Sequence, residues 1–317
     1  MSFSGASRFS LLCVLALLPV SGIPQTSFRA GTDVVPVYAT VRGADGHLVT
    51  DLQASDFELQ DRGTRVPLAV FSNDVQPITV VVLVDMSGGI FDGNRYAALR
   101  AALGSLVDQL GPDDRARFGT FYTSEVALSF RLTSDHAELN RVLGEELWAH
   151  GGRRPLWNAV GSAITSLSRE SGRRVVLVLT NGPNTASIPG LPGGREVEEA
   201  EKSGDFMFYG VTLFPKNQLM GANDDTYPRL SLQELIDQTG GGFFQAAPSD
   251  SYMRGMSSQS WDELVMALWN VVDELRHQYA LGFVPVHRDG RVGTIEVRVR
   301  RPGAKVTARK TYRAPAA

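Results

Sequence analysis

The chain holds one cysteine, Cys13, in 317 residues, so no disulfide can close within it. Its five histidines, at 47, 136, 150, 277 and 287, form no His-Glu-x-x-His and keep no metal-ligand spacing with carboxylates. Gly-x-Ser-x-Gly is absent, and so is Gly-x-x-x-x-Gly-Lys, which excludes the nucleophile elbow and the phosphate-binding loop. Neither Glu125 nor Glu145/Glu146 is placed as a paired acid and base. We read no enzyme here. With a net charge of −3, no Lys/Arg cluster is dense enough for nucleic acid or an anionic membrane.

The apolar run FSLLCVLALLPV (9–20) follows Arg8 and leads to the small residues Val20-Ser21-Gly22, a signal-peptide pattern too short to span a bilayer comfortably. We therefore expect residues 1–22 to be a cleaved signal. The mature chain is then exported, secreted or held in the periplasm or cell envelope, with no membrane insertion.

With 43% hydrophobic and 21% charged residues, the remainder has room for a large core and a second domain. Residues 33–75 read as β: VPVYATV (35–41), SDFELQ (55–60) and VPLAVFS (66–72), separated by GADG and DRG turns. Residues 278–313 have the same character, in QYALGFVPV (278–286), TIEVRVRR (294–301) and VTARKTYR (306–313). Each end is too short to hold itself together without metal or disulfide, but together they approach an immunoglobulin-like β-sandwich. The expectation is one β domain built from both ends, with 77–277 inserted; two separate hairpins are the alternative.

Residues 77–277 alternate strand and helix, which predicts an α/β, doubly wound, mostly parallel sheet. Strands are expected at 78–85, 117–123, 126–132, 173–181, 206–214 and 242–246, and helices at 94–110, 135–147, 156–171, 195–203, 230–240 and 261–279. Trp261 and Trp269 are assigned to the core face of the last helix, Trp157 is a candidate surface contact, and Asp224 and Asp225 are read as solvated.

The stretch VVVLVDMSGG (80–89) is a buried strand running into Asp-x-Ser-x-Gly, at the strand end where open α/β sheets place ligands. A later strand ends LTNG (179–182), and GGRRPLWNA (151–159) precedes a helix. On these motifs the chain resembles a von Willebrand factor A domain. The flanking VYATVRGADGHLVTDLQASDFELQDRG, ELRHQYALGFVP and IEVRVRRPGAKVTARKTY are similar to exported proteins of the acidobacterial von Willebrand factor A-related type. That resemblance runs from about residue 33 to 313. It implies a non-enzymatic binding module, and a Mg²⁺ held by oxygens from three loops.

The departures from that pattern fall on the metal site. Asp85 and Ser87 stay, but Gly89 replaces a serine, Arg154 a threonine, Asn158 an aspartate and Asn181 an aspartate. An arginine aimed at the site repels a divalent cation and can itself pair with Asp85. We expect a metal-free pseudo-site of Asp85, Ser87, Gly89, Arg154 and Asn181, with Ser87 and Asn181 bonded around an Asp85–Arg154 pair, and no cofactor. The partner is expected to be another protein or an extracellular polymer, met by loops 85–94, 151–157, 181–194 and 216–229. The alternatives are a residual Mg²⁺ site at Asp85, Ser87 and Asn181 that takes an acidic ligand, and a structural envelope component.

Overall fold

Strand β5 (Ile78–Asp85) is a run of β-branched and aliphatic residues buried along its whole length, as the middle of a parallel sheet requires. It lies inside a six-stranded sheet of order β10-β9-β8-β5-β6-β7, where β6 is Arg115–Tyr122, β7 Glu125–Leu128, β8 Arg173–Leu179, β9 Phe206–Thr212 and β10 Phe243–Gln245. All pairings are parallel except the β6–β7 hairpin. The computed structural model describes residues 34–87, 94–129, 131–145, 151–180, 182–204, 206–212, 231–246 and 258–316. The signal segment 1–22, Gly89, Trp148, Asn181, Asp224, Asp225 and the whole 216–229 loop lie outside them.

Side chains alternate across the sheet, so β5 feeds two cores. Val80, Val82 and Val84 pack with helices α1 (Asn94–Asp108), α2 (His136–Glu145) and α6 (Ser258–Arg276). Val81 and Leu83 pack with α3 (Leu156–Leu167), α4 (Gly194–Ser203) and α5 (Leu232–Thr239) on the other face. Local chemistry sets the helix limits. At α5 the Ser231 hydroxyl accepts the Glu234 amide while the Glu234 carboxylate accepts the Ser231 amide, and Gly240 ends the helix at φ 79°. Trp261 is partly buried against the core, but Trp269 is 44% exposed and donates its indole N–H to the Ser105 hydroxyl. The two tryptophans do not share a core face: eight residues at about 100° each bring the second round by some 80°.

Strands from both ends of the chain interleave in two antiparallel sheets. One has the order β13-β1-β11-β4, with β1 Val35–Arg42, β4 Val70–Ser72, β11 Tyr279–Phe283 and β13 Lys305–Ala308. The other is β14-β12-β2-β3, with β2 Phe57–Asp61, β3 Thr64–Val66, β12 Val292–Val299 and β14 Thr311–Arg313. Val37, Val41, Leu59, Phe283, Ile295 and Tyr312 join across them in a third core cluster. Two stretches that read as single strands, 66–72 and 306–313, are each split between the two sheets. Pro67 has no amide to continue a ladder at the first break. Asp61, 1% exposed, accepts the Tyr312 hydroxyl at 2.7 Å and the Val286 amide at 3.2 Å, which closes the second sheet on its neighbours.

The antiparallel and parallel layers meet at a buried polar cluster. Glu274 on α6, 4% exposed, accepts Thr40 Oγ1 at 3.2 Å, Arg42 Nη2 at 2.7 Å and the Tyr209 hydroxyl at 3.0 Å. Gln278 donates to Thr40 Oγ1 and to the Tyr209 hydroxyl. Removing the carboxylate strands the buried Thr40 and Tyr209 hydroxyls, while Arg42, 37% exposed, can turn to water. Glu274→Ala is therefore expected to destabilise the protein by about 2–4 kcal/mol, read from the urea unfolding midpoint.

Candidate functional site

The chain runs from β5 to β6 on one side and returns to β8 on the other. The carboxyl ends of β5 and β8 thus form the topological switch point, where adjacent loops part and leave a crevice. Asp85 ends β5 there, and Thr180 follows β8 beside it. Asp85 is 1% exposed, so its carboxylate needs compensating partners.

Those partners come from three segments. Oδ1 accepts the Ser87 amide at 3.0 Å, a turn that Asp-x-Ser forms locally. Oδ2 accepts the Thr180 hydroxyl at 2.7 Å and the Arg154 Nε–H in a very short contact. Arg154 reaches in from the 151–155 loop with its side chain 14% exposed, and its Nη1 donates to the Pro183 carbonyl at 3.2 Å. A Cβ on Gly182 would lie 3.0 Å from that same Nη1, so a glycine is what lets the guanidinium lie against the loop after β8.

Backbone bonds hold Arg154 in place. Its amide donates to Thr185 Oγ1 at 2.8 Å, and its carbonyl accepts the amides of Thr185 at 2.9 Å and Ala186 at 3.1 Å. Arg153 donates Nε–H to the Thr185 carbonyl at 2.8 Å. On the other side, the Gly151 amide donates to the Met86 carbonyl at 2.9 Å, and the Thr123 hydroxyl donates to the Gly151 carbonyl at 2.9 Å. Gly152, at φ 99°, could carry no side chain, because a Cβ there would fall 1.9 Å from Thr123 Oγ1.

The other sequence-selected residues have different settings. The Ser87 hydroxyl is buried and has no hydrogen-bond partner among the described residues, so it is not bonded to the Asp85–Arg154 pair as expected. Gly89 and Asn181 lie outside the described residues. Asn158 accepts the Ile188 amide at 2.8 Å and donates to the carbonyls of Pro192 at 3.0 Å and Ile188 at 3.2 Å, so it folds the 188–192 loop over α3. Trp157 is 8% exposed and belongs to the core beneath the site, leaving little of its surface for a partner. Beside it lies a groove of about 440 Å³ lined by Asn184, Ile188 and Leu191, the last 41% exposed. Thr180, Thr185 and Thr123 were not selected from sequence. Thr180 stands inside the LTNG motif and could have been; nothing local marks Thr185 or Thr123.

A hard divalent cation does not fit these residues. The unpartnered Ser87 hydroxyl is a suitable oxygen, but both Asp85 oxygens already accept hydrogen bonds and a guanidinium lies against one of them. A divalent ion ~4 Å from that unit charge, at an effective dielectric near 20, meets on the order of 8 kcal/mol of repulsion. No group of three or more His, Cys, Asp or Glu side chains able to hold a metal occurs among the described residues.

Asp85→Asn and Arg154→Met are each expected to cost about 3 kcal/mol, because each leaves one buried charge without its counterpart. The double variant should lose less than the sum by about 1–3 kcal/mol in urea unfolding. Strict additivity would show that the contact is energetically idle.

No protein-family model matches the sequence, and no curated protein matches it. Solved structures similar to the chain include a von Willebrand factor type A protein from Catenulispora acidiphila, at TM-score 0.46 and 11% identity over 92% of this chain and 76% of that one. Proximal thread matrix protein 1 from the mussel byssus aligns at TM-score 0.46 and 16% identity over 74% of this chain. The chain spans about half of that mussel protein's length, 50%. The SpRpn10 VWA domain aligns at TM-score 0.43 and 15% identity over 60% of this chain and 94% of that one.

Proposed function

We propose that this chain is an exported, non-enzymatic von Willebrand factor A-type module that binds a protein partner without a metal ion. The two antiparallel sheets form an immunoglobulin-like sandwich that carries it. The observation behind metal independence is the Arg154 guanidinium on the buried Asp85 carboxylate. Neutralising that carboxylate is one service a bound Mg²⁺ would supply, and here it is supplied within the chain.

The binding face is the carboxyl end of the six-stranded sheet. Loops 151–155 and 183–186 are tied together there by backbone bonds, and the Asn158-braced 188–192 segment presents Leu191 beside an open groove. A braced loop with an exposed apolar residue loses little entropy on docking, which favours a protein surface as the ligand. The signal-like residues 9–20 support export, and no described helix is long and apolar enough to cross a membrane.

Immobilised mature protein is expected to capture the same partner from native envelope extract with and without EDTA. Leu191→Arg should abolish that capture. Capture that disappears with EDTA and returns with Mg²⁺, or a Mg²⁺ calorimetric isotherm abolished by Asp85→Ala, would overturn metal independence. Reproducible capture of nothing would favour a structural envelope role instead.

A further inference from the structure

The outer surface of α6 departs from the usual amphipathic division, in which apolar residues face the core and polar ones face solvent. Asp262, Met266, Trp269 and Asp273 follow one another at steps of four, three and four residues, and all four are exposed, Met266 by 52% and Trp269 by 44%. That spacing sets them in one stripe along the helix, about 16 Å long at 1.5 Å per residue. Helix α1 lies alongside and runs the same way, with Trp269 bonded to Ser105 and Arg276 to the Gln109 carbonyl. Ala97 and Ala101, two turns and one turn before Ser105, and Asp108, one turn after it, are exposed on the same side of α1.

The surface is apolar in the middle and acidic at both ends: Asp262 at one, Asp108 and Asp273 at the other. Asp273 meets His277 Nδ1 at 3.0 Å, while Asp108 and Asp262 have no ion-pair partner among the described residues. Arg276 is held by Asp114 at 2.9 Å, and the Arg100 guanidinium lies over the Tyr96 ring. A second copy of the chain does not suit this pattern. Two α6 stripes packed head to tail set Asp262 against Asp273, and packed in parallel they set each aspartate against its own copy, both repulsive. Half-exposed, Trp269 and Met266 together offer on the order of 200 Å² of apolar surface. A standard interface takes roughly 800 Å² from each partner, so the face suits a single helix rather than a folded domain.

We propose that the α1/α6 face docks a basic amphipathic helix of a partner protein, with apolar residues over Met266 and Trp269 and a Lys or Arg opposite each acidic end. A docked helix presents its anchors at steps of three and four residues, the same steps that separate the two aspartates from the apolar pair between them. Trp269 supplies a rigid aromatic anchor and Met266 an adaptable one, and the small alanines of α1 leave room for the incoming helix to lie along the seam. The aspartates fix which partner is accepted and in which register, and they repel an acidic one. Both helices pack on one flank of the six-stranded sheet, so this contact is separate from the loops at its carboxyl end.

The test titrates the full chain against a fluorescent, alanine-based helical peptide of about 18 residues, long enough to hold a helix. It carries lysine, leucine, leucine and lysine at steps of four, three and four, and a second peptide has glutamate in place of both lysines. Saturable anisotropy is expected with the lysine peptide, and binding about tenfold weaker or more with the glutamate peptide. Trp269→Ser is expected to remove binding. The double variant Asp262→Lys with Asp273→Lys, changed only at exposed positions, is expected to reverse the preference between the two peptides, a result that loss of folding cannot imitate. No saturable binding of the lysine peptide, equal binding of both peptides, or an unchanged preference in the double variant overturns the proposal. So does a dimer in sedimentation that Trp269→Ser disperses, since a second copy would then cover the face. Loss of peptide binding in Leu191→Arg would place the peptide on the carboxyl-end loops, and this too overturns it.

Discussion

A carboxylate sealed under the loops at the end of a central strand must be neutralised, protonated or bonded, and the rest of the upper face is arranged around how Asp85 meets that demand. Its two oxygens take an amide from its own turn, a hydroxyl from the next strand's end and the Arg154 guanidinium from a third loop. Each donor comes from a different crossover of the sheet, so one ion pair gathers three connections that the topology otherwise leaves apart. Charge compensation and loop placement are one electrostatic fact seen from two sides.

Holding an arginine at that point takes more than its own charge. Thr185 bonds the Arg154 backbone in both directions, and Gly152 passes Thr123 at a distance no side chain would allow. The guanidinium can then spend its donors on Asp85 and the Pro183 carbonyl. Asn158, itself buried, braces the neighbouring loop through Ile188 and Pro192. An exposed leucine, Leu191, stands on the loop that Asn158 supports.

The lower end of the sheet solves a different problem with the same residue type. Helix carboxyl ends gather there, and buried arginines answer their carbonyls: Arg173 at Leu275 and Arg309 at Gly204. Glu274 and Gln278 knit β1 to α6 and β9 a short distance away. The molecule thus has a clamped base and a looped crown, with the alternating valines of β5 packed between.

The order of helices and strands through the middle of the chain, the buried character of β5, and the presence of Asp85 and Arg154 in one constellation were legible in the amino-acid sequence. These are local properties: hydrophobic period, turn residues and strand-end motifs depend on neighbours in the chain. What a periodicity cannot show is which sheet a strand joins. The stretches 66–72 and 306–313 each read as one strand, yet each crosses between two sheets. Trp269 faces solvent although its spacing from Trp261 suggested the core, because the helix face that is buried depends on where α1 lies. The hydroxyls of Thr123 and Thr185, about 30 residues either side of Arg154, entered the site only through tertiary approach. The unbonded Ser87 hydroxyl is likewise a matter of direction rather than residue type. Composition and spacing determined which groups were available and which elements carried them. Long-range packing decided which of those groups could touch, since hydrogen bonds act over a few ångströms and the chain alone sets no such distance between residues far apart.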